Sequence, residues 1–262
     1  MLKGLAAFTA SHDLRARLFG AALSVFAAAW AGPIGAEECV VLEDFSSSAP
    51  SEFPKGWTPR DKSGSAVYTV QKEDSRVFVR AHAEGPKAKG NGIEADRPVN
   101  WDIEKYPILR WRWRPRVFPN GADEHKGKED SALGVYIGFC SPEDKSFCER
   151  SVKGQLGWSD SLAMSKMFFS KGIGSLKYIW SERLPKGLEF ERSRKTVKVL
   201  ESGRPANPDQ WVEERVNVAA DYRKHLGGGK LLNPIGLAIL TDADDTQSVA
   251  EGDYADFRIC NE

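Results

Sequence analysis

The stretch Ile108-Leu109-Arg110-Trp111-Arg112-Trp113-Arg114, closed by Pro115, decides how this chain folds. Alternate side chains of an extended strand point to opposite faces. Leu109, Trp111 and Trp113 therefore share one face, and Arg110, Arg112 and Arg114 share the other. One strand supplies both a core and a row of cations. Guanidinium groups on that face stand roughly 7 Å apart, which costs about 0.6 kcal/mol per adjacent pair in water and about 2.4 kcal/mol at a protein-surface dielectric. Something negative must answer them, either the chain's own carboxylates or a ligand.

Residues 1–36 read as a targeting segment. Lys3, Arg15 and Arg17 form a basic flank, Leu18 to Ala31 an apolar run, and Ile34-Gly35-Ala36 a small-residue cleavage site, with Ala29-Trp30-Ala31 as a competing one. The run is short for a bilayer span, and no later segment could cross a membrane. Ala-Glu-Glu before Cys39 does not look like a lipoprotein attachment sequence. The expected product is periplasmic or secreted, with no membrane span. Loss of Lys3, Arg15, Arg17 and Asp13 turns 37 basic and 37 acidic residues into 34 and 36, a formal charge of −2. A near-neutral chain argues against a general nucleic-acid binder.

All four cysteines, Cys39, Cys140, Cys148 and Cys260, fall in the exported part, and four allow three pairings. Cys140 and Cys148 bracket a Ser-Pro-Glu-Asp-Lys turn. Cys39 and Cys260 lie at opposite ends of residues 37–262, and domain termini are often close together. The expected disulfides are Cys39 with Cys260 and Cys140 with Cys148. Zinc is the rival reading, but no Cys-x-x-Cys pair or nearby histidine supports it.

Short runs rich in β-branched and aromatic residues recur along residues 37–262: Val40 to Phe45, Val67 to Val70, Arg76 to His82, Ile93 to Ala95, Leu133 to Phe139, Leu176 to Ser181, Thr196 to Leu200, Trp211 to Val218, Ile235 to Thr241 and Tyr254 to Cys260. Ala219 to Leu226 reads as a short helix stopped by Gly227-Gly228-Gly229, and Ser159 could cap another through Phe169. The expectation is an all-β protein: a single antiparallel two-sheet β-sandwich domain of jelly-roll type over 37–262, with one or two short helices and an insertion at about 140–174. In Leu133 to Phe139 the apolar set Val135, Ile137 and Phe139 packs beside Trp111 and Trp113. Gly134, Tyr136 and Gly138 then form a shallow trough next to the arginines.

Three groups of residues could carry chemistry. The acidic loop Asp242, Asp244, Asp245 can converge on a hard cation such as calcium, which takes six to eight oxygens, although the spacing is not that of an EF-hand. The loop carboxylates Asp123, Glu124 and Asp130 could pair with those acids for glycoside hydrolysis. No Gly-x-Ser-x-Gly elbow is present, and His82, His125 and His225 lie far apart in sequence, which leaves nucleophilic catalysis without support. Tyr136, Tyr178 and Trp180 could offer a stacking surface to a sugar, whereas Trp111 and Trp113 read as core.

Several short motifs in order resemble the bacterial family known as domain of unknown function 3047: Tyr106-Pro-Ile-Leu-Arg-Trp-Arg-Trp-Arg114, Gly121-Ala-Asp-Glu124, Asp130-Ser-Ala132, Gly134-Val-Tyr136, Lys177-Tyr-Ile-Trp-Ser181, Asp221-Tyr222, Thr241-Asp-Ala-Asp-Asp-Thr246 and Asp253-Tyr-Ala-Asp256. The resemblance spans about Val41 to Ile259. It implies an exported bacterial protein and brings no activity, catalytic residue or cofactor. The segment between Phe139 and Leu176 looks longer than that pattern.

The leading functional expectation is a non-catalytic binding module for a polar ligand, a carbohydrate or anionic glycan. Arg110, Arg112 and Arg114 would serve as charge-assisted donors, Tyr136, Tyr178 or Trp180 as the platform, and the acidic loops as polar contacts. A carbohydrate hydrolase or lyase using the loop acids is the alternative. A structural envelope protein whose charges pair with each other is the third.

Overall fold

The computed structural model of the chain describes residues 37–59, 66–85, 95–139, 174–192, 195–227 and 230–262. The expected targeting segment, the helix expected from Ser159, and the expected Cys140–Cys148 pair lie outside these residues.

The Arg-Trp stretch forms β6 (Ile108–Val117). Its alternation holds: Leu109, Trp111 and Trp113 are fully buried, while Arg110 and Arg112 are partly exposed. Pro115 does not end the strand. The partner strand β13 (Val249–Cys260) shifts register between Glu251 and Gly252, opposite Val117 and Pro115, a place where a residue with no N–H to donate is tolerated.

Around β6 a six-stranded sheet assembles in the order β11 (Val212–Asn217), β6, β13, β4 (Arg76–Glu84), β3 (Tyr68–Glu73), with β1 (Cys39–Glu43) also on β13. The twelve residues of β13 run past β4, which pairs with Val249–Tyr254, to reach β1, which pairs with Phe257–Cys260. Between the two stretches lies a bulge at which Asp256 takes φ 57°. The runs expected at Val67 to Val70 and Arg76 to His82 pair as the β3–β4 hairpin, turned through Asp74 at φ 52°.

The second sheet has seven strands: β2 (Thr58–Pro59), β5 (Ala95–Pro98), β12 (Pro234–Asp242), β7 (Ser131–Phe139), β8 (Ser175–Ser181), β10 (Lys195–Ser202) and β9 (Glu189–Arg192). Two features differ from expectation. The short strands β2 and β9 carry no marked apolar alternation. The sheet is also not wholly antiparallel, because β10 slots between β8 and β9 and so runs parallel to β8. The one described α-helix, α1 (Val218–His225), follows β11 directly, with Asn217 Oδ1 accepting the Ala220 N–H at 2.8 Å.

The two sheets pack face to face as a β-sandwich. The Trp111 ring lies 5.1 Å from Trp113 and 5.9 Å from Tyr178, and Trp113 lies 6.1 Å from Trp180. Tyrosine hydroxyls stitch the layers where backbone groups would otherwise be stranded between them. Tyr254 donates to the Leu240 carbonyl at 2.6 Å and accepts the Gly134 N–H at 3.1 Å, while Tyr68 donates to the Ile239 carbonyl at 3.1 Å. Each buried aromatic ring of this kind contributes roughly 1.5–3 kcal/mol through lost apolar exposure. The expected disulfide between Cys39 and Cys260 is present, with S–S 2.00 Å, and ties the first described strand to the last. No helix among the described residues is long and apolar enough to cross a membrane.

Candidate functional site

The outer face of the six-stranded sheet is a lattice of charge. Arg114, 3 % exposed, donates from Nε to Asp253 at 2.8 Å and from Nη2 to both Glu73 oxygens at 3.0 Å. Arg80 holds the same Asp253 through Nε at 2.7 Å and Nη2 at 2.9 Å. The hydrogen bond from Arg114 pulls the Glu73 carboxyl below its ordinary range. Arg112 contacts Glu213 at 2.8 Å and Asp256 at 3.4 Å, and Arg110 is bound by Glu37 and Glu213. Burial raises the Glu213 carboxyl, but Arg110 and Arg112 outweigh it and leave the group below the usual carboxylate range. All three arginines of the sequence motif are thus answered within the protein, and repulsion along β6 alone gives no reason to invoke a ligand.

A cation that the motif did not reveal changes the balance. Ladder register sets Arg215 of β11 opposite Arg110 of β6, and Arg110 opposite Arg258 of β13, so three arginines stand abreast across three strands. Like charges placed directly opposite destabilise a sheet unless something intervenes. Glu37 bridges Arg110 and Arg215, the latter at 3.6 Å. Arg258 is exposed; after the hydrogen bonds from Ser46 it helps to lower the Asp44 carboxyl, but it has no carboxylate within ion-pair distance among the described residues. It lines a pocket of about 170 Å3 together with Cys39, Arg110, Trp111, Arg112, Glu213 and Asp256. The β13 bulge positions this pocket, because it inserts an extra residue between Ala255, opposite Arg112, and Arg258, opposite Arg110. Sequence alternation could place Arg110 and Arg112, but Arg258 is separated from them by about 150 residues and one irregularity of the ladder.

The expected trough lies elsewhere. Val135 and Ile137 pair with Tyr178 and Leu176, and Tyr178 touches Trp111, so this set faces the other sheet. Tyr136 consequently points to the outer face of the seven-stranded sheet, away from the arginines. β6 and β7 belong to different layers and turn their apolar faces together, which sends their other faces in opposite directions. Tyr178 and Trp180, expected as a platform, are interior: Tyr178 donates to Asp221 at 3.0 Å and Trp180 to the Gly203 carbonyl at 2.8 Å. Tyr136 is buried as well, with the Lys177 and Lys195 ammonium groups 5.3 and 5.6 Å from its ring centroid.

The loop acids do come together. Asp123 caps a single 3-10 turn, Glu124–Lys126, and pairs with Lys126 at 3.1 Å. Glu124 is 2 % exposed, and its Oε1 has no partner among the described residues. Burial pushes its carboxyl up to about 7 against the opposing pull of Lys177. Asp130 accepts the backbone N–H groups of Asp245 at 3.1 Å and Thr246 at 2.6 Å, joining the two acidic loops. Carboxylate oxygens of Asp130, Asp244 and Asp245 lie within 4.8 Å of one another and could hold a metal ion. Asp242 is outside that group, since its Oδ1 accepts the N–H groups of Ala243 and Asp244 at 2.8 and 3.3 Å. The spacing in sequence pointed to Asp242, and the fold substitutes Asp130. Glu129, beside them, is raised by burial but carried below its ordinary range by Arg192, whose Nε lies 2.6 Å away.

The fold defines the class, an all-β sandwich with a charged outer sheet face. The family is defined by sequence: residues 55–258 match the model of the family described as Protein of unknown function (DUF3047), and the chain belongs to it. No curated protein matches the chain. Among solved structures, one similar chain is the glycoside hydrolase domain of Endo-D from Streptococcus pneumoniae R6, at 9% identity and TM-score 0.31, covering 79% of this chain and 21% of that one. This chain thus spans about a fifth of that structure's length. A carbohydrate-binding module specific for non-crystalline cellulose is similar at 11% identity and TM-score 0.32, covering 81% of this chain and 89% of that one. The xyloglucanase domain of NopAA, a type three effector from Sinorhizobium fredii, in complex with cellobiose, is similar at 8% identity and TM-score 0.35, covering 82% and 99%.

Proposed function

We propose that this protein is an exported, non-catalytic binding module that takes a polar ligand, a carbohydrate, on the outer face of its six-stranded sheet. The observation that carries this reading is the pocket where Arg258, which has no carboxylate within ion-pair distance among the described residues, meets Arg110 and Arg112. Its rim alternates guanidinium donors with the acceptors Glu213 and Asp256, and sugar hydroxyls both donate and accept. Its volume of about 170 Å3 lies below the roughly 300–1,000 Å3 of sites that enclose a whole small molecule, so it suits one sugar unit or one substituent. Export is supported by the basic and apolar segment at the start of the chain and by a disulfide of the kind that persists in oxidising compartments.

The test is a glycan array on residues 37–262, read for retention and for released product, alongside Arg258→Ala. Retention without turnover, lost in the variant, is the expected result. Failure to retain any neutral or acidic glycan would sink the reading. A second reading, a hydrolase or lyase, rests on Glu124, a buried carboxyl near 7 and thus a candidate acid, and on Glu129, held below its ordinary range, with the Lys177 charge acting on both. Product release abolished by Glu124→Gln would favour it.

A further inference from the structure

We propose that Glu37 holds Arg110 at the edge of this site in place of a ligand group, and that the group it stands in for is a carboxylate on the ligand, making an acidic glycan the preferred partner. The inference rests on the binding reading above. Glu37 precedes β1, on the far side of β13 from β6, yet its carboxylate lies on Arg110 and Arg215. Its neighbours fix it there. The Glu38 N–H donates to Asn261 Oδ1 at 2.8 Å, the Asn261 N–H donates to the Glu38 carbonyl at 3.0 Å, and Cys39 is bonded to Cys260.

Charge shows why the place suits an anion. Arg76, Arg110, Arg112 and Arg215 share the three carboxylates of Glu37, Glu213 and Asp256, and Arg258 adds a further positive charge. Of these, three guanidinium groups, Arg110, Arg112 and Arg258, line the pocket with two carboxylates, Glu213 and Asp256. Each of the three carboxylates is held by two arginines, but Glu213 and Asp256 stand on sheet strands and line the pocket, whereas Glu37 arrives from outside the sheet ladders. A ligand carboxylate that takes Arg258 and Arg110 is a planar acceptor matched to their guanidinium forks, and Glu37 is its competitor for Arg110.

The experiment measures binding of polygalacturonate, and of neutral dextran as control, to the full chain, as expressed, by calorimetry at fixed moderate salt. Glu37→Gln keeps the size of the side chain and removes its charge. It should tighten polygalacturonate binding about two- to fivefold, the worth of a part-exposed ion pair, while Arg258→Gln should weaken it about tenfold. Unchanged or weaker binding by Glu37→Gln, with Arg258→Gln still impaired, would overturn the stand-in role and leave the binding pocket intact. Dextran bound as well as polygalacturonate would overturn the acidic class. Neither polymer bound by the parent chain would overturn the inference, and with an empty glycan array the binding reading as well.

Discussion

Arg114 clasps Asp253 across the β6–β13 ladder, with Nη2 2.7 Å from a carboxylate that is fully buried. The neighbouring Arg112 meets Glu213 on the surface, where the two side chains are 38% and 33% exposed. The same sequence motif has therefore produced one interior ion pair and one solvated one. Removing a partner from a buried pair costs roughly 3–5 kcal/mol, because the remaining charge is stranded, whereas exposed pairs are worth about 0.2–1 kcal/mol. Arg114→Met should lower unfolding free energy by about 3 kcal/mol, with Arg80 still covering Asp253, and Arg112→Met by under about 1 kcal/mol. Urea denaturation checks this, and equal losses would contradict it.

Glu124 and Glu214 make stability fall with rising pH. Burial pushes each carboxyl to about 7 from an ordinary value of 4.5, and for Glu214 the charge of Glu201 adds to it. A carboxyl raised in the folded state holds its proton more tightly there than in the unfolded chain. Its contribution is complete below pH 4.5 and is lost as pH climbs through 7. Each group accounts for a loss on the order of 3 kcal/mol between pH 4 and pH 8. Glu214→Gln keeps an acceptor for the Trp113 indole N–H, 2.9 Å away, and should flatten that part of the profile. Melting curves at half-unit pH steps would show it, and a profile as steep as the parent's would count against the buried acid.

Gly252 admits no side chain. A Cβ there would lie 2.4 Å from Leu133 Cδ2 and 2.5 Å from the Ala132 carbonyl oxygen, both on the facing sheet. The leucine could shift, but the backbone oxygen belongs to β7 and could not do so without moving a strand. Gly252→Ala should destabilise by about 2–3 kcal/mol, as overpacking of a tight core does. Gly56→Ala provides the contrast, since nothing lies within 4 Å of its Cβ and only its φ of +82° opposes the change. Thermal denaturation of the two variants separates contact from conformation.

The Cys39–Cys260 bond closes a loop with a sequence separation of 221 residues. In the chain-entropy model a loop that long stabilises by about 5 kcal/mol, near the upper end for one disulfide. Cys39→Ser with Cys260→Ser should therefore lower the denaturation midpoint markedly. It should also free β1, which has β13 as its sole partner among the described strands. Amide exchange of Val40 and Val41 would report that release.

Short-range pattern settled most of the fold. In β6 a period of two in seven residues assigned three side chains to the core and three to the outside, and the β3–β4 hairpin and the β12 run were equally plain because each strand's burial is written in its own residues. β2 and β9 were silent because edge strands this short bury too little to need a pattern.

The candidate site was legible only in part. Arg110 and Arg112 follow from alternation, whereas the choice of Asp130 over Asp242 for the acidic cluster depends on how two loops meet. Tyr178 and Trp180 were ambiguous because a strand with large groups on both faces does not say which face turns inward, and contact with Trp111 and Trp113 decides it.

By itself, the sequence determined that this is an all-β chain with a strand bearing tryptophans on one face and arginines on the other, since alternation follows from backbone geometry within a few residues. Only the tertiary structure decided what those arginines meet. Ladder register and one bulge place Glu37, Glu213, Asp256 and Arg258 beside them from segments far away in the chain, and Coulomb forces act on distance in space, not on distance in sequence.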